Sequence, residues 1–330
     1  MNKRYGDHPA DRVDISVIIV NWNTKDLLRD CLNSVYKTVT DLIFEIIVVD
    51  NFSSDGSVTM LEEEFSSVIR IVNQENKGFG AANNQAFAIM KGKFALLLNT
   101  DAILTPQAVN KLWDFCEENK KAAIVCGQLL NSDGSKQNSI ASFPSLLTLA
   151  VNTSVLEYLF PCLYPSKRYK HTSPIEVDSV IGACMMIRKK ALDESGAFDE
   201  RYFFFFEETD LAYTMRLGGW KIYHVPDAFI YHLQGQSVGQ NVRSRIEFYR
   251  SRYQFLRKWH NSLYFYLAKA IIFLRLLING VSTAIFTILT LGLNKKTRYK
   301  FVIYSELISW HFQKNNYQQS KNSLTNTLTL

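Results

Sequence analysis

Short apolar runs alternate along this chain with longer stretches in which apolar residues recur at helical spacing. Residues 15–20 make an apolar, β-branched run that breaks at Asn21-Trp22-Asn23-Thr24, after which Leu27, Leu28, Cys31, Leu32 and Val35 recur three and four apart. A strand buried on both faces reads as a continuous run, whereas a helix with one buried face reads with a period near 3.6. The alternation continues with strand 44–49, a helix over about 58–65, strand 68–72, a helix containing Ala81, Ala82, Ala86 and Met90, and strand 94–98. A helix from Pro106, a strand at 123–126, a strand at 177–187, a helix from Glu207, a strand at 220–225 and a short one before His232 follow. Such alternation predicts a parallel sheet with right-handed crossovers. Ligands bind at the carboxyl ends of strands in these sheets, and here those ends carry Asn21, Asp50, Lys77 and Asp101.

Two regions depart from the pattern. Residues 131–175 are first turn-rich and then apolar, with Pro161 and Pro165 as punctuation, and predict an insert that is either a mobile lid or a membrane-touching segment. Residues 263–293 are interrupted by only Lys269 and Arg275, and 276–293 carry no charge. That uncharged stretch sits at the lower length limit for a membrane span and contains Asn279-Gly280 and Gly292, so an interfacial or shallowly inserted helical pair is expected.

Composition sharpens this picture. With 330 residues, 47% of them hydrophobic, the chain can bury one large core and carry an appendage. The net charge of +6 is mild but unevenly placed: Arg243, Arg245, Arg250, Arg252, Arg257 and Lys258 cluster, and Lys295, Lys296, Arg298 and Lys300 follow the apolar run. A basic, apolar tail fits an anionic membrane surface, and no nucleic-acid motif accompanies it. The five cysteines form no CxxC pair and read as reduced thiols of a cytosolic protein. The polar first 14 residues lack the apolar core of a signal peptide.

The chemistry-bearing candidates concentrate in three places. Glu207, Glu208 and Asp210 crowd a helix start behind the aromatic run Phe203-Phe204-Phe205, so they either cap the helix or supply a carboxylate whose pKa an apolar wall raises toward that of a general base. Asn99-Thr100-Asp101 ends a buried strand, as a turn or as a divalent-cation ligand. His232, after a short strand, is a hydrogen-bonded structural residue, a partner of Asp101 on a metal, or a contact to phosphate. Gly78-Phe79-Gly80 is a broken dinucleotide signature, with Asn83 in place of the last glycine; its glycines fit a close backbone approach to a ligand. Lys77 beside it can meet a phosphate or stay solvated.

Taken together the chain resembles the family-2 glycosyltransferases, in particular their rhamnosyltransferase-like branch. The resemblance rests on Ser16-Val17-Ile18-Ile19-Val20-Asn21-Trp22-Asn23, Val48-Val49-Asp50-Asn51, Asn76-Lys77-Gly78-Phe79 with Asn84, Leu98-Asn99-Thr100-Asp101, Gly182-Ala183-Cys184-Met185, Gly196-Ala197-Phe198-Asp199, Glu207-Glu208-Thr209-Asp210-Leu211 and His232-Leu233-Gln234-Gly235-Gln236-Ser237. It implies a GT-A-type nucleotide-diphospho-sugar transferase fold of the α/β class, with a mostly parallel central sheet flanked by helices over 15–240. A polar extension at 1–14 and a C-terminal helical, apolar and basic membrane-associating region at 241–330 flank it. The implied reaction is inverting transfer from a dTDP- or UDP-sugar to a lipid-linked or polysaccharide acceptor at the cytosolic membrane surface. By the same resemblance Asn21, Trp22, Asp50, Asn51, Lys77, Gly78, Asn84 and Asn99 hold the donor and Asp101 binds Mg²⁺ or Mn²⁺, with His232 as the candidate partner that its position offers. The family usually has Glu-Asp where this chain has Glu207-Glu208, so Glu208 inherits the role of base, with Glu207 and Asp210 beside it. Rhamnose from dTDP-rhamnose is the expected donor sugar, with galactofuranose, galactose, glucose and N-acetylglucosamine as alternatives. A nicotinamide-dependent oxidoreductase and a non-catalytic sugar-nucleotide-binding scaffold are the competing readings.

Overall fold

The computed structural model describes residues 12–166, 171–233 and 241–313. Most of the N-terminal extension, the motif residues Gln234, Gly235, Gln236 and Ser237, and the polar C-terminal tail lie outside them.

The first half folds as the pattern predicts: β1 (Ile15–Asn21), α1 (Lys25–Thr38), β2 (Phe44–Asp50), α2 (Ser57–Glu64), β3 (Ile69–Val72), α3 (Phe79–Phe87) and β4 (Phe94–Leu98). The strands are buried on both faces because alternate side chains serve two cores. Ile15, Val17 and Ile19 of β1 pack into one cluster with α1, while Ile18 joins Ile47 and Val49 in the cluster on the other face. Then come β5 (Ala102–Leu104), α4 (Ala108–Glu118), β6 (Ala122–Leu130), β7 (Ile140–Ala141), α5 (Leu146–Ala150), α6 (Thr153–Leu159), β8 (Ile175–Glu176), β9 (Ser179–Val180), β10 (Cys184–Arg188), α7 (Lys189–Ser195), α8 (Glu207–Leu217) and β11 (Lys221–His232).

The main sheet runs β3-β2-β1-β4-β10-β6-β11-β5, with β8 beside β11. It is mostly parallel, but β10 lies antiparallel to both β4 and β6 in the middle, and β5 is antiparallel to β11. Two strand expectations change accordingly. The run 177–187 is not one strand: Val177 donates to the Ile222 carbonyl, Ser179–Val180 pairs with β7, and a fresh strand begins at Cys184. Conversely, 220–225 and the segment before His232 are a single strand, β11, whose register against β6 shifts between Val225 and Phe229, a β-bulge around Pro226.

The chain closes with α9 (Val242–Trp259), α10 (Ser262–Leu289) and α11 (Lys295–Phe312). α9 is locked to α8. Lys258 donates to Asp199 Oδ2 at 2.8 Å and Asp210 Oδ2 at 2.6 Å, and Trp259 Nε1 donates to Asp210 Oδ1 at 2.7 Å. Along α10, buried Phe265, Ala268, Ile272, Leu276 and Gly280 recur at helical spacing against α9 and α11, and nothing beyond Gly280 is buried. The insert is tied to this bundle: Leu149 shares its core, and Arg275 donates to the Leu149 carbonyl at 2.6 Å.

Candidate active site

The carboxyl ends of β1, β2 and β4 carry a polar network. Asn21 and Asp50 are register partners, and Asn21 Nδ2 donates to Asp50 Oδ1 at 2.9 Å and to Ser53 Oγ at 3.0 Å. Thr24 bridges onward, its hydroxyl donating to Asn21 Oδ1 at 2.8 Å and sharing a hydrogen bond with Thr100 Oγ1 at 2.9 Å. Asn51 gathers the next loop: its Nδ2 meets Asn76 Oδ1 at 2.7 Å and its Oδ1 accepts from the Lys77 amide at 3.0 Å. Lys77 is exposed and Trp22 half-buried.

Gly78 sits at φ +85°, and a Cβ there would lie 2.5 Å from the carbonyl oxygen of Phe203. The close backbone approach expected of this glycine is therefore to the loop that carries the acidic cluster. A dinucleotide does not explain it. Gly78→Ala forces a left-handed conformation on a β-carbon that has no room, so we expect a loss on the order of 2 kcal/mol or more and a Tm lower by several degrees in thermal unfolding. Asn84 also works on that loop, exchanging hydrogen bonds with the Phe198 backbone at 2.9 and 3.0 Å.

A second group lines one cavity of about 500 Å³, which includes Asn99, Asp101, His232, Glu207 and Glu208. Asp101 and His232 are brought together by the β5–β11 pairing, with His232 Nε2 3.4 Å from Asp101 Oδ1. Gln137, from the insert, fixes the imidazole. Its Oε1 lies 2.9 Å from His232 Nδ1, and its amide donates to the His232 carbonyl at 2.6 Å. A proton held on Nδ1 by that oxygen leaves the Nε2 lone pair facing Asp101, the arrangement of a histidine ready to ligate a metal. Among the described residues no group of three or more His, Cys, Asp and Glu gathers around one point. One carboxylate and one imidazole still suit Mg²⁺ or Mn²⁺ where substrate phosphates and water complete the shell, and the nitrogen tilts the choice to Mn²⁺.

The acidic cluster starts α8 behind a strained turn. Phe205 and Phe206 have φ of +67° and +70°, unusual for bulky L-residues and found where surrounding packing over-determines the backbone. Phe206 is held by Phe248 and Phe255 of α9. The turn separates the carboxylates. Glu207 is 4% exposed, and its Oε2 has no hydrogen-bond partner among the described residues. Burial, reinforced by Glu208 and Glu247, pushes its pKa well above the ordinary glutamate value. Glu208 is half-buried, and burial raises it to about 7. Asp210 turns away from the cavity and is saturated by Tyr202, Lys258 and Trp259.

The sequence-predicted residues therefore form two groups joined through Thr24 and Thr100, with Asn84 and Asp210 outside both. Gln137, Arg245 and Arg252 were missed as site residues. The two arginines line the cavity, although in the sequence their basic cluster reads as membrane-facing. Gln137 carries no sequence signal, being 95 residues from its partner inside the irregular insert.

Residues 16–196 match the family model for glycosyl transferase family 2. The chain is 26% identical over 264 residues to an N-acetylglucosaminyl-diphospho-decaprenol L-rhamnosyltransferase of Mycobacterium tuberculosis, covering 75% of this chain and 85% of that relative. It is 33% identical over 125 residues to a poly(ribitol-phosphate) beta-glucosyltransferase of Bacillus spizizenii, 36% of this chain and 20% of that one. The fold is similar to that of GalNAc-T7 solved with UDP, GalNAc and Mn²⁺ (TM-score 0.57, 15% identity, 92% of this chain and 58% of that one). It is also similar to the mannosyltransferase PcManGT from Pyrobaculum calidifontis with GDP-Man and Mn²⁺ (TM-score 0.52, 16% identity, 91% and 86%). These likenesses identify the GT-A fold.

Proposed function

The chain belongs to glycosyl transferase family 2, and from that premise we propose an inverting transferase that moves a sugar from a nucleoside diphosphate to a hydroxyl of a lipid-linked or polysaccharide acceptor. One observation carries the reading: Asp101 with His232, and Glu208, line the same cavity. In an inverting displacement the acceptor oxygen attacks the anomeric carbon as the bond to the diphosphate breaks, and the hydroxyl proton must leave on the attacking side. Glu208, poised near neutrality, accepts that proton. Glu207, whose burial raises its pKa, lines the same cavity beside it, where a second anion would raise the barrier. A divalent cation held by Asp101 and His232 would neutralise charge on the leaving diphosphate. The network of Asn21, Asp50 and Asn51, with Lys77, Gly78, Asn99 and Trp22 around it, is assigned to the nucleotide. Asn84 and Asp210, whose polar atoms are consumed by protein contacts, position the loop and helix that carry the site.

Rhamnose from dTDP-rhamnose is the favoured donor, supported by the relative that matches three quarters of the chain. The direct test is nucleoside-diphosphate release and sugar transfer with UDP-, dTDP- and GDP-sugars and Mn²⁺. Binding without turnover of any donor would support the non-catalytic scaffold, and binding of none would overturn both readings.

Membrane seating at the cytosolic face is part of the proposal. α10 is long and apolar enough to cross a membrane by length and composition. However, only the segment beyond Gly280 lacks buried residues, and from Gly280 to Leu289 it extends about 14 Å, half of a hydrocarbon core of roughly 30 Å. That supports insertion into one leaflet. Leu289, Leu291 and Leu293 are exposed at the turn, beside exposed Lys295, Lys296, Arg298 and Lys300. Replacing the three leucines with serine should release the protein from vesicles containing anionic lipid at unchanged Tm, whereas unchanged co-sedimentation would reject the anchor. Cutting the chain after Trp259 is a poorer test, because it strips a core from α9.

A further inference from the structure

Part of the cavity lining is basic: Arg245 and Arg252 of α9 line it together with Thr148, Leu149 and Thr153 of the insert. Arg252 lies 4.4 Å over the ring of Phe248, and its Nε has no hydrogen-bond partner among the described residues. Arg275 lies close enough for its charge to act on both Arg252 and Tyr249, and Arg245 acts on Tyr249 as well. No carboxylate among the described residues forms a salt bridge with any of these three arginines; Glu247, the acid on the same helix, is taken by Arg250. Three clustered guanidiniums without an acidic partner are costly unless an anion joins them.

In the transferase reading the donor diphosphate meets Asp101 and His232, whereas Arg252 lies 5.9 Å from the ring of Phe206, which leads into the acidic cluster and its base. We propose that Arg245 and Arg252, backed by Arg275, form an anion subsite for a phosphate attached to the acceptor sugar, so that the acceptor is a phosphate-linked lipid glycan. This rests on the transferase reading. It deepens it by assigning the arginine-lined part of the cavity to the acceptor. The geometry suits such a molecule: Arg275 joins the insert to the bundle whose free end is apolar, so a lipid tail can stay with the membrane while its phosphate meets α9.

The full chain is titrated with n-decyl diphosphate, with decyl glucoside as the neutral control, and separately with dTDP or UDP plus Mn²⁺. The parent is expected to bind the diphosphate at least about tenfold more tightly than the glucoside. Arg252→Gln and Arg245→Glu should each weaken the diphosphate by roughly 10–100-fold, the range for losing a charge-assisted bond to an anion. Glucoside and nucleotide affinity should stay within about twofold. Arg252→Lys, which retains the charge and the fold, should recover part of the loss. Diphosphate affinity unchanged in all three variants overturns the subsite. A parallel loss of nucleotide overturns it too, because the arginines then serve the donor. A parent that binds no nucleotide at all defeats the transferase reading instead.

Discussion

Glu208→Gln is expected to slow transfer by about 10²–10⁴-fold while nucleotide-sugar affinity stays within a factor of two. The amide is isosteric with the acid but cannot take the acceptor proton, so the loss falls on kcat. Glu208→Asp should retain substantial activity, because the shorter acid is the residue the family usually places there. A wild-type kcat that climbs as pH rises through about 7 is the signature of this base, since the carboxylate must be ionised to act. That limb should vanish in Glu208→Gln. If Glu208→Gln turns over at the parental rate while Glu207→Gln is inactive, the base is Glu207.

Asp101→Ala should abolish Mn²⁺-dependent tightening of the nucleotide and reduce transfer below detection, with the fold intact. Residues behind a metal ligand are each worth roughly 10–100-fold, so losing the ligand itself should exceed about 100-fold. Gln137→Ala supplies the graded control. It frees the His232 ring without removing a ligand, and about a tenfold loss in metal affinity is expected. Isothermal titration of nucleotide with and without Mn²⁺ separates the cases. An Asp101→Ala protein that binds metal and nucleotide as the parent does would refute the assignment.

What could be read from the sequence, and what could not, divides along physical lines. The strands β1, β2 and β4 were legible because burial on both faces demands continuous apolar runs, and their polar ends announced Asn21, Asp50 and Asp101. The direction of β10 was not legible, because an antiparallel strand at the centre of a sheet carries the same apolar composition as a parallel one. The partnership of Asp101 with His232 was proposed from residue type, but its geometry comes from strand pairing across 131 residues. The double left-handed turn at Phe205 and Phe206 had no sequence signal, since phenylalanine is among the residues least expected there. The basic stretch of α9 misled most. Its charges read as membrane-facing, yet Lys258 neutralises Asp199 and Asp210 inside the protein, and Arg252 reaches the cavity.

The two raised carboxylates set catalysis and durability against each other. Glu207 and Glu208 both hold their protons more tightly in the folded chain than in the unfolded one, where a glutamate titrates near 4.5. The native state therefore binds more protons, and its stability falls as pH climbs from about 4.5 through 7 and beyond. The same climb ionises Glu208 and switches the chemistry on. Alkaline medium should thus yield a faster but shorter-lived catalyst, and Glu207→Gln, which removes the more deeply buried acid, should flatten the decline in lifetime.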